Sequence, residues 1–553
     1  MAKSPKYIFV TGGVMSGVGK GVTTSSIAKL MQARGLKVTA LKIDPYINVD
    51  AGTMNPTEHG EVFVLNDGDE CDQDMGNYER FLDIDLSRIN YMTTGRVYQE
   101  VIRRERNLDY GGKNVEVVPD IPKEVIRRIN KAANEAKADV TVIEIGGTIG
   151  EYQNIIFLEA ARMMKIAKPN DVAIVMVSFL PVPSKIGEMK TKPTQYASRT
   201  LNSVGLQADI IIARSEMALD KKRKQKISTF CNISPEAVIS APDVDSIYDV
   251  PLNFEKDSLG DILTSILNLK RRPANLTTWK RFATKARNGR TEVNIAIVGK
   301  YFNSGDFVLS DVYISVIEAL KVAGVWAGVK VKVHYRHSQE FENGVGKKKL
   351  TDLARYDGIL VPGGFGKTGI DGKLRVIEYA RKNKIPFFGI CYGLQLATVE
   401  FARNVVGLKK ATTEEIDPAA TELLIGVMPE QKRLLKENQY GGTMRLGAYP
   451  AKIKKGTLAY RAYKTEIVSE RHRHRYEVNP QYIEILEDKG LVFSGRSPDG
   501  RLMEIMELPE KVHPFFVGTQ FHPEFSSRPL TPQPLFLAFV KAAITKRNKK
   551  RKS

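Results

Sequence analysis

Lys20 closes a glycine-rich stretch, Gly12-Gly13-Val14-Met15-Ser16-Gly17-Val18-Gly19, between the apolar run Tyr7–Val10 and a helical pattern over Val22–Leu30. A strand, a glycine turn and a helix gather backbone N–H groups around one point. That arrangement binds phosphate, and the lysine adds a point charge for terminal phosphates. The spacing departs from the usual form of such loops. Five residues separate Gly13 from Gly19, and Gly21 stands where a hydroxyl residue normally meets Mg²⁺. The metal would then need carboxylates from elsewhere in the chain. Candidates are the acidic loop Asp67–Asp74 and Glu144, which ends the run Val140–Ile145 beside Gly146-Gly147. Oxygen ligands of this kind suit Mg²⁺, and a carboxylate at the end of a buried strand is costly unless a cation or donors meet it.

A different chemistry is written into the second half. Phe387-Phe388-Gly389-Ile390-Cys391-Tyr392-Gly393-Leu394-Gln395 reads as a strand, a sharp turn and a helix. Such an elbow exposes the Cys391 sulfur, and the helix N-terminus behind it favours the thiolate. His522 and Glu524, in Thr519-Gln520-Phe521-His522-Pro523-Glu524, supply a base and its orienting carboxylate. Nucleophile, base and orienter follow triad logic. Gly363-Gly364-Phe365-Gly366 offers backbone N–H donors for an oxyanion, with the N–H of Tyr392 as the second donor.

Elements able to position these residues recur along the chain. Apolar, β-branched runs lie at Tyr7–Val10, Lys37–Ile43, Val115–Val118, Val140–Ile145, Val172–Val177, Asp209–Ala213 and Ala237–Ser240, separated by helical patterns. Fully apolar strands alternating with helices predict a parallel sheet covered on both faces, with ligands at the carboxyl ends of the strands. Residues 269–290, rich in Lys, Arg, Thr and Asn, read as a linker. A second α/β pattern opens at Val293–Lys300 and continues through Val331–Tyr335, Gly358–Val361 and Pro386–Ile390. The expected division is 1–268, a linker 269–290, 291–545 and a basic, solvated tail 546–553.

The stretches Gly12–Gly21, Lys42–Asp50, His59–Val64, Gly76–Phe81, Glu144–Thr148, Lys190–Gln195 and Asp243–Tyr248 together resemble the CTP synthases, as does Gly441–Gly447. Residues 293–545 resemble the class I glutamine amidotransferases. The fold implied is α/β: an N-terminal P-loop-type parallel-sheet amidoligase domain plus a C-terminal amidotransferase α/β domain. The resemblance assigns ATP to Ser16, Gly17, Val18, Gly19, Lys20, Gly21 and Asp74, and Mg²⁺ to Asp74 and Glu144. It assigns UTP or CTP to Ser16, Lys42, Lys190, Thr191, Lys192, Pro193, Thr194, Gln195 and Lys226. L-glutamine would be held by Gly364, Tyr392, Gln395, Glu415 and Arg475, with His472 and His474 structural. It also implies GTP as an allosteric activator and a homotetramer that can extend into filaments. Three positions depart from the family pattern. Gln153 replaces an acidic residue that contacts the CTP ribose, Thr368 replaces an arginine tied to GTP activation, and Tyr392 replaces a common leucine.

Composition narrows the alternatives. The 553 residues carry 83 basic and 63 acidic side chains, a net charge of +20 that suits polyanionic ligands. No nucleic-acid module is recognisable, so no specific nucleic acid is expected. There is no apolar run of about 18 residues and no signal-peptide core, which predicts a soluble, cytoplasmic protein without a membrane role. Cys71, Cys231 and Cys391 lack metal-type spacing. Within enzymes, a cobyric-acid-type synthetase shares the layout, but Lys190–Gln195 and Asp243–Tyr248 point to UTP.

Overall fold

The computed structural model describes residues 4–552 apart from 186, 290, 301–302, 305–306, 309–310, 343–349 and 428–443, so Gly441–Thr443 lies outside the described residues. The chain forms two units. One comprises residues 1–51 and 74–287, the other residues 52–73 and 288–553.

The first unit is built on a seven-stranded sheet. From one edge its strands are Tyr91–Thr93, Val38–Asp44, Val140–Thr148, Lys6–Gly13, Val172–Phe179, Ile210–Ser215 and Val238–Pro242, all parallel. Its central strands are buried along nearly their whole length, the pattern of a sheet covered by helices on both faces. Register places chemistry together: Lys42 lies beside Glu144, and Gly13 beside Ser178. Val115–Val118, expected as a strand, is instead the entry to helix Val117–Glu135, and the edge strand is Tyr91–Thr93. Pro119 and Pro122 explain the difference, since proline suits the first turn of a helix and cannot donate to a sheet ladder.

Residues 269–290 are not a featureless linker. They include helix Thr277–Asn288, whose Trp279, Phe282 and Ala283 form one buried face at i, i+3, i+4 spacing. The Trp279 ring packs 5.0 Å from Phe81, and its Nε1 donates to Tyr248 O at 2.8 Å. This helix closes the first unit.

The second unit carries a nine-stranded sheet. Lys330–His337, Glu292–Gly299, Gly358–Val361, Phe387–Ile390 and Phe516–Thr519 are parallel; Met503–Glu507, Val492–Arg496, Arg445–Ile453 and Ile467–His474 continue it antiparallel. Phe388, Phe536 and Phe539 pack on one face, and Phe387, Tyr392 and Phe516 on the other. Helix Pro534–Lys552 covers the first of these faces and runs into the basic tail expected to be solvated. Lys546 anchors it, its Nζ donating to Tyr356 O at 2.5 Å.

Residues 52–73 belong to this unit although the sequence places them between elements of the first. They form a short helix, Pro56–His59, capped by the Asn55 side chain, and a hairpin pairing Val62–Val64 with Glu70–Asp72. Arg471 Nε donates to Asn66 Oδ1 at 2.6 Å, Arg473 Nε to Glu70 Oε1 at 2.7 Å, and the Ser315 hydroxyl to Glu61.

Candidate functional sites

In the first unit, Gly12–Lys20 turns between the strand Lys6–Gly13 and the helix Lys20–Ala33. Ser16 and Gly17 are exposed at the tip, Val18 is buried, and Gly19 takes φ +87°, a left-handed conformation that glycine adopts without penalty. Lys20 folds over the loop and its Nζ donates to Gly147 O at 2.9 Å. Burial lowers its pKa against the opposing pull of Glu144.

The neighbouring charges are arranged around Lys42. Its Nζ donates to Asp74 Oδ2 at 2.6 Å and to Glu144 Oε1 at 2.8 Å, and Tyr78 OH donates to the other Glu144 oxygen. Burial and then the Asp74 charge raise the Glu144 pKa. Burial pushes Asp74 the same way, but Lys42 outweighs it and holds that carboxyl below its ordinary range. Gly21 has a steric reason here. A Cβ at that position would fall on the Asp74 carboxylate, so the side chain of the usual loop is replaced by Asp74 itself.

The acidic loop is therefore divided. Asp74 reaches the phosphate loop, whereas Asp67, Asp69 and Glu70 lie in the second unit, with Glu70 paired to Arg473. Among the described residues no cluster of three or more His, Cys, Asp or Glu could hold a metal. The Asp74–Glu144 pair nevertheless fits Mg²⁺, which commonly takes one or two carboxylates and completes its shell with waters and substrate phosphates. Both oxygens already share one cation, the Lys42 ammonium.

Lys190–Gln195 leads into helix Lys192–Ser203, at the carboxyl end of the strand adjoining the phosphate loop. Gly13 packs against Ala197 of this helix. Thr191 accepts from Gln195 Nε2 at 3.1 Å, and Ser178 Oγ donates to Thr194 Oγ1 at 2.8 Å, so these hydroxyls are engaged locally. Lys190 pairs with Glu188 at 2.6 Å, Pro193 sits in the first helical turn, and Lys192 is exposed. Lys226 lies on the exposed side of helix Lys221–Cys231, and no described hydrogen bond or ion pair joins it to this segment.

In the second unit, Cys391 stands between strand Phe387–Ile390 and helix Tyr392–Phe401 with φ 52° and ψ −100°. That is strained backbone for a residue with a side chain, held because its N–H donates to Thr519 O at 2.6 Å. Gly393 allows the turn, since a Cβ there would meet Val361 O. His522 Nδ1 lies 2.7 Å from Glu524 Oε1. Burial alone would lower the imidazole pKa, but the Glu524 carboxylate and the Cys391 sulfur outweigh it and carry it up to about 10. The thiol also accepts a long contact from Gln520 Nε2 at 3.7 Å, and Gln395 Nε2 reaches Gln520 Oε1 at 3.3 Å. A cavity of about 60 Å³ is lined by Cys391, His522, Gly363 and Gly364, and by Pro56, Glu61 and Val62 of the inserted segment.

The remaining expected glutamine contacts converge nearby. Glu415 Oε1 accepts the Gly366 N–H at 2.6 Å. Burial raises its pKa, offset in part by that N–H and by Lys300 and Arg475. Tyr392 OH donates to Gly366 O at 3.4 Å. His472 and His474 are buried, their ring nitrogens 2.9 Å apart. Sequence reasoning missed Gln520, although it sits inside the His522 motif, and missed Glu61 and Arg473; Glu70, expected with the acidic loop as a metal ligand, pairs with Arg473 instead.

Comparison with known proteins agrees across both units. Residues 6–269 match the family "CTP synthase N-terminus" and residues 308–542 match "Glutamine amidotransferase class-I". The CTP synthase of Pyrococcus furiosus is 53% identical over 540 residues, covering 97% of this chain and 98% of that protein. That of Caldanaerobacter subterraneus subsp. tengcongensis is 49% identical over 541 residues, covering 98% of each. The acivicin-bound glutaminase domain of Trypanosoma brucei CTPS is 38% identical, with a TM-score of 0.42, covering 46% of this chain and 94% of that one. With a phosphate loop and its carboxylates in one unit and a cysteine elbow in the other, the chain belongs to the CTP synthase family of glutamine-hydrolysing C–N ligases.

Proposed function

We propose that this chain converts UTP to CTP with ATP and with ammonia cut from L-glutamine, as a step of pyrimidine nucleotide biosynthesis. Cys391 attacks the glutamine amide carbon. The tetrahedral oxyanion is met by backbone N–H groups of Gly364 and Tyr392, and His522, oriented by Glu524, protonates the departing ammonia. Water then frees glutamate from the thioester. Gln395, Glu415 and Arg475 hold the glutamine, the guanidinium suiting its carboxylate.

In the other unit, ATP phosphorylates O4 of the uracil ring, turning a poor leaving group into phosphate, and ammonia then attacks C4. Residues 16–21 cradle the ATP phosphates, with Lys20 on the terminal ones, and Lys190–Gln195, Lys42 and Lys226 serve UTP. Asp74 and Glu144 would hold Mg²⁺, which supplies charge neutralisation for phosphoryl transfer when bound. Binding must draw both carboxylates away from Lys42, freeing that ammonium for phosphate. The same reading brings GTP as activator, a homotetramer able to extend into filaments, and a cytoplasmic setting. Among the described residues no helix is long and apolar enough to cross a membrane.

The observation that carries the proposal is the Cys391–His522–Glu524 row in one chain with a lysine-bearing phosphate loop. The test is the absorbance change from UTP to CTP with ATP, Mg²⁺ and either glutamine or ammonium chloride. Cys391→Ala should lose glutamine-driven turnover and keep ammonia-driven turnover. A wild type that makes CTP from neither nitrogen source refutes the reading.

A further inference from the structure

Lys373 is a charged side chain for which the reaction above has no use. It lies on the second turn of helix Ile370–Lys382 and is fully buried. Among the described residues its Nζ has no hydrogen-bond partner. The nitrogen stands instead 5.1 Å from the centre of the Tyr392 ring, within the roughly 6 Å over which an ammonium is attracted to an aromatic face. The same tyrosine is tethered through its hydroxyl to Gly366 O, so its ring is fixed between the lysine and the oxyanion loop.

Among the described residues, the charged groups that face Lys373 come from outside its own helix. They are Lys300, just beyond strand Glu292–Gly299, Glu415, and Cys391 at the head of helix Tyr392–Phe401. Burial and then the repulsion of Lys300 lower the amine to about 7, while Glu415 and Cys391 pull the other way. An ammonium buried without a hydrogen bond is among the costliest groups a core can hold. Packing does not require it, because an unbranched apolar side chain could fill the same space.

We propose that Lys373 is a positioning residue for glutamine hydrolysis: held over the face of Tyr392, its ammonium fixes that ring, and with it the Tyr392 N–H that receives the oxyanion, and places positive charge behind Cys391 and Glu415. This rests on the glutaminase reading above. The charge is complete at acid pH and fades as pH rises through about 7, so its contribution fades in the same direction.

Lys373→Met and Tyr392→Leu, singly and together, test the assignment. The leucine variant keeps the backbone N–H while removing the aromatic face. Each single variant should lower glutamine-driven kcat about tenfold with KM nearly unchanged, a fraction of the loss on deleting an oxyanion donor outright. Ammonia-driven CTP formation should not change in Lys373→Met. The double variant should be no worse than Lys373→Met, since the two residues act as one unit. Alkylation of Cys391 by iodoacetamide, followed across neutral pH, should show an inflection near 7 in the wild type that Lys373→Met lacks. A wild-type glutamine rate and pH profile in Lys373→Met overturns the proposal. So does a parallel loss of both nitrogen sources in both single variants, which would mark Lys373 as a folding residue. A wild type that uses ammonia but not glutamine defeats the glutaminase reading instead.

Discussion

The two sites manage charge in opposite ways. Around the phosphate loop, opposite charges cancel: Lys42 bridges Asp74 and Glu144, and Lys20 leans on a backbone carbonyl. At the thiol, the charges are strung in a row, Glu524 to His522 to Cys391, and opened onto a small cavity. On the proposed function, a site for a nucleotide polyanion and Mg²⁺ can afford self-neutralisation, because the incoming charges would compete for both halves of each pair. A nucleophile that meets a neutral amide gains no such help, so its polarisation has to be built in beforehand. Backbone geometry follows the same division: glycines make room in the first site, and a strained cysteine is held fixed in the second.

Mutations can break this contrast. Gly21→Thr would restore the residue usual in such loops, yet its Cβ would collide with the Asp74 carboxylate. It should lower CTP formation from glutamine and from ammonia alike, by about 10³-fold or more, the scale on which lost preorganised charge stabilisation is felt. Retained activity would mean that Asp74 is dispensable.

Glu524→Gln strikes the polarised row alone. Without the carboxylate, the His522 pKa should fall from about 10 towards its ordinary range. A folded-state value above the ordinary one means that the imidazolium's stabilising contribution is complete below about pH 6.5 and lost as pH rises through about 10. The variant should lose that window together with about 10²-fold of glutamine-driven rate, with ammonia-driven rate intact. A pH titration of Cys391 alkylation would read the shift directly.

Glu70→Gln removes the charge that holds Arg473 in the second unit. The expected cost is about 2 kcal/mol, that of a weakened hydrogen bond to a charged group. It should appear as an earlier melting transition of that unit by calorimetry, while the first unit's transition stays in place. Deleting residues 547–553 should change least, within about 0.5 kcal/mol, since Lys546 keeps its bond to Tyr356 O. A larger loss would show that the helix beyond Lys546 contributes to the fold.

Local sequence carried the glycine loop and the cysteine elbow because each is contiguous. Glycine spacing with Lys20, and Cys391 between a strand and a helix, depend on neighbours within a few residues, where backbone sterics act directly. His522 and Glu524 sit two residues apart, so their pairing was legible as well. Helix Thr277–Asn288 was hidden because its apolar face rests on three residues amid polar ones, and burial against Phe81 and Tyr248 completes it. The basic tail is exposed at Asn548, Lys549 and Lys550, as its charge predicts, but its helical backbone was not legible. It continues a helix whose earlier turns are anchored by Phe536 and Phe539 in the core.

By itself, the sequence determined the two α/β patterns, the glycine-rich turn before Lys20, the cysteine elbow and the histidine–glutamate pair. Tertiary structure alone decided which carboxylate of the acidic loop serves which site: Asp74 meets Lys42, whereas Glu70, four residues earlier, pairs with Arg473 in the other unit. It also decided that Pro56, Glu61 and Val62 line the thiol cavity and that Lys373 is buried against Tyr392. Such contacts join residues far apart in the chain, and their energy comes from burying apolar surface and pairing charge out of water. A local pattern of residue types does not encode where a chain will be excluded from solvent.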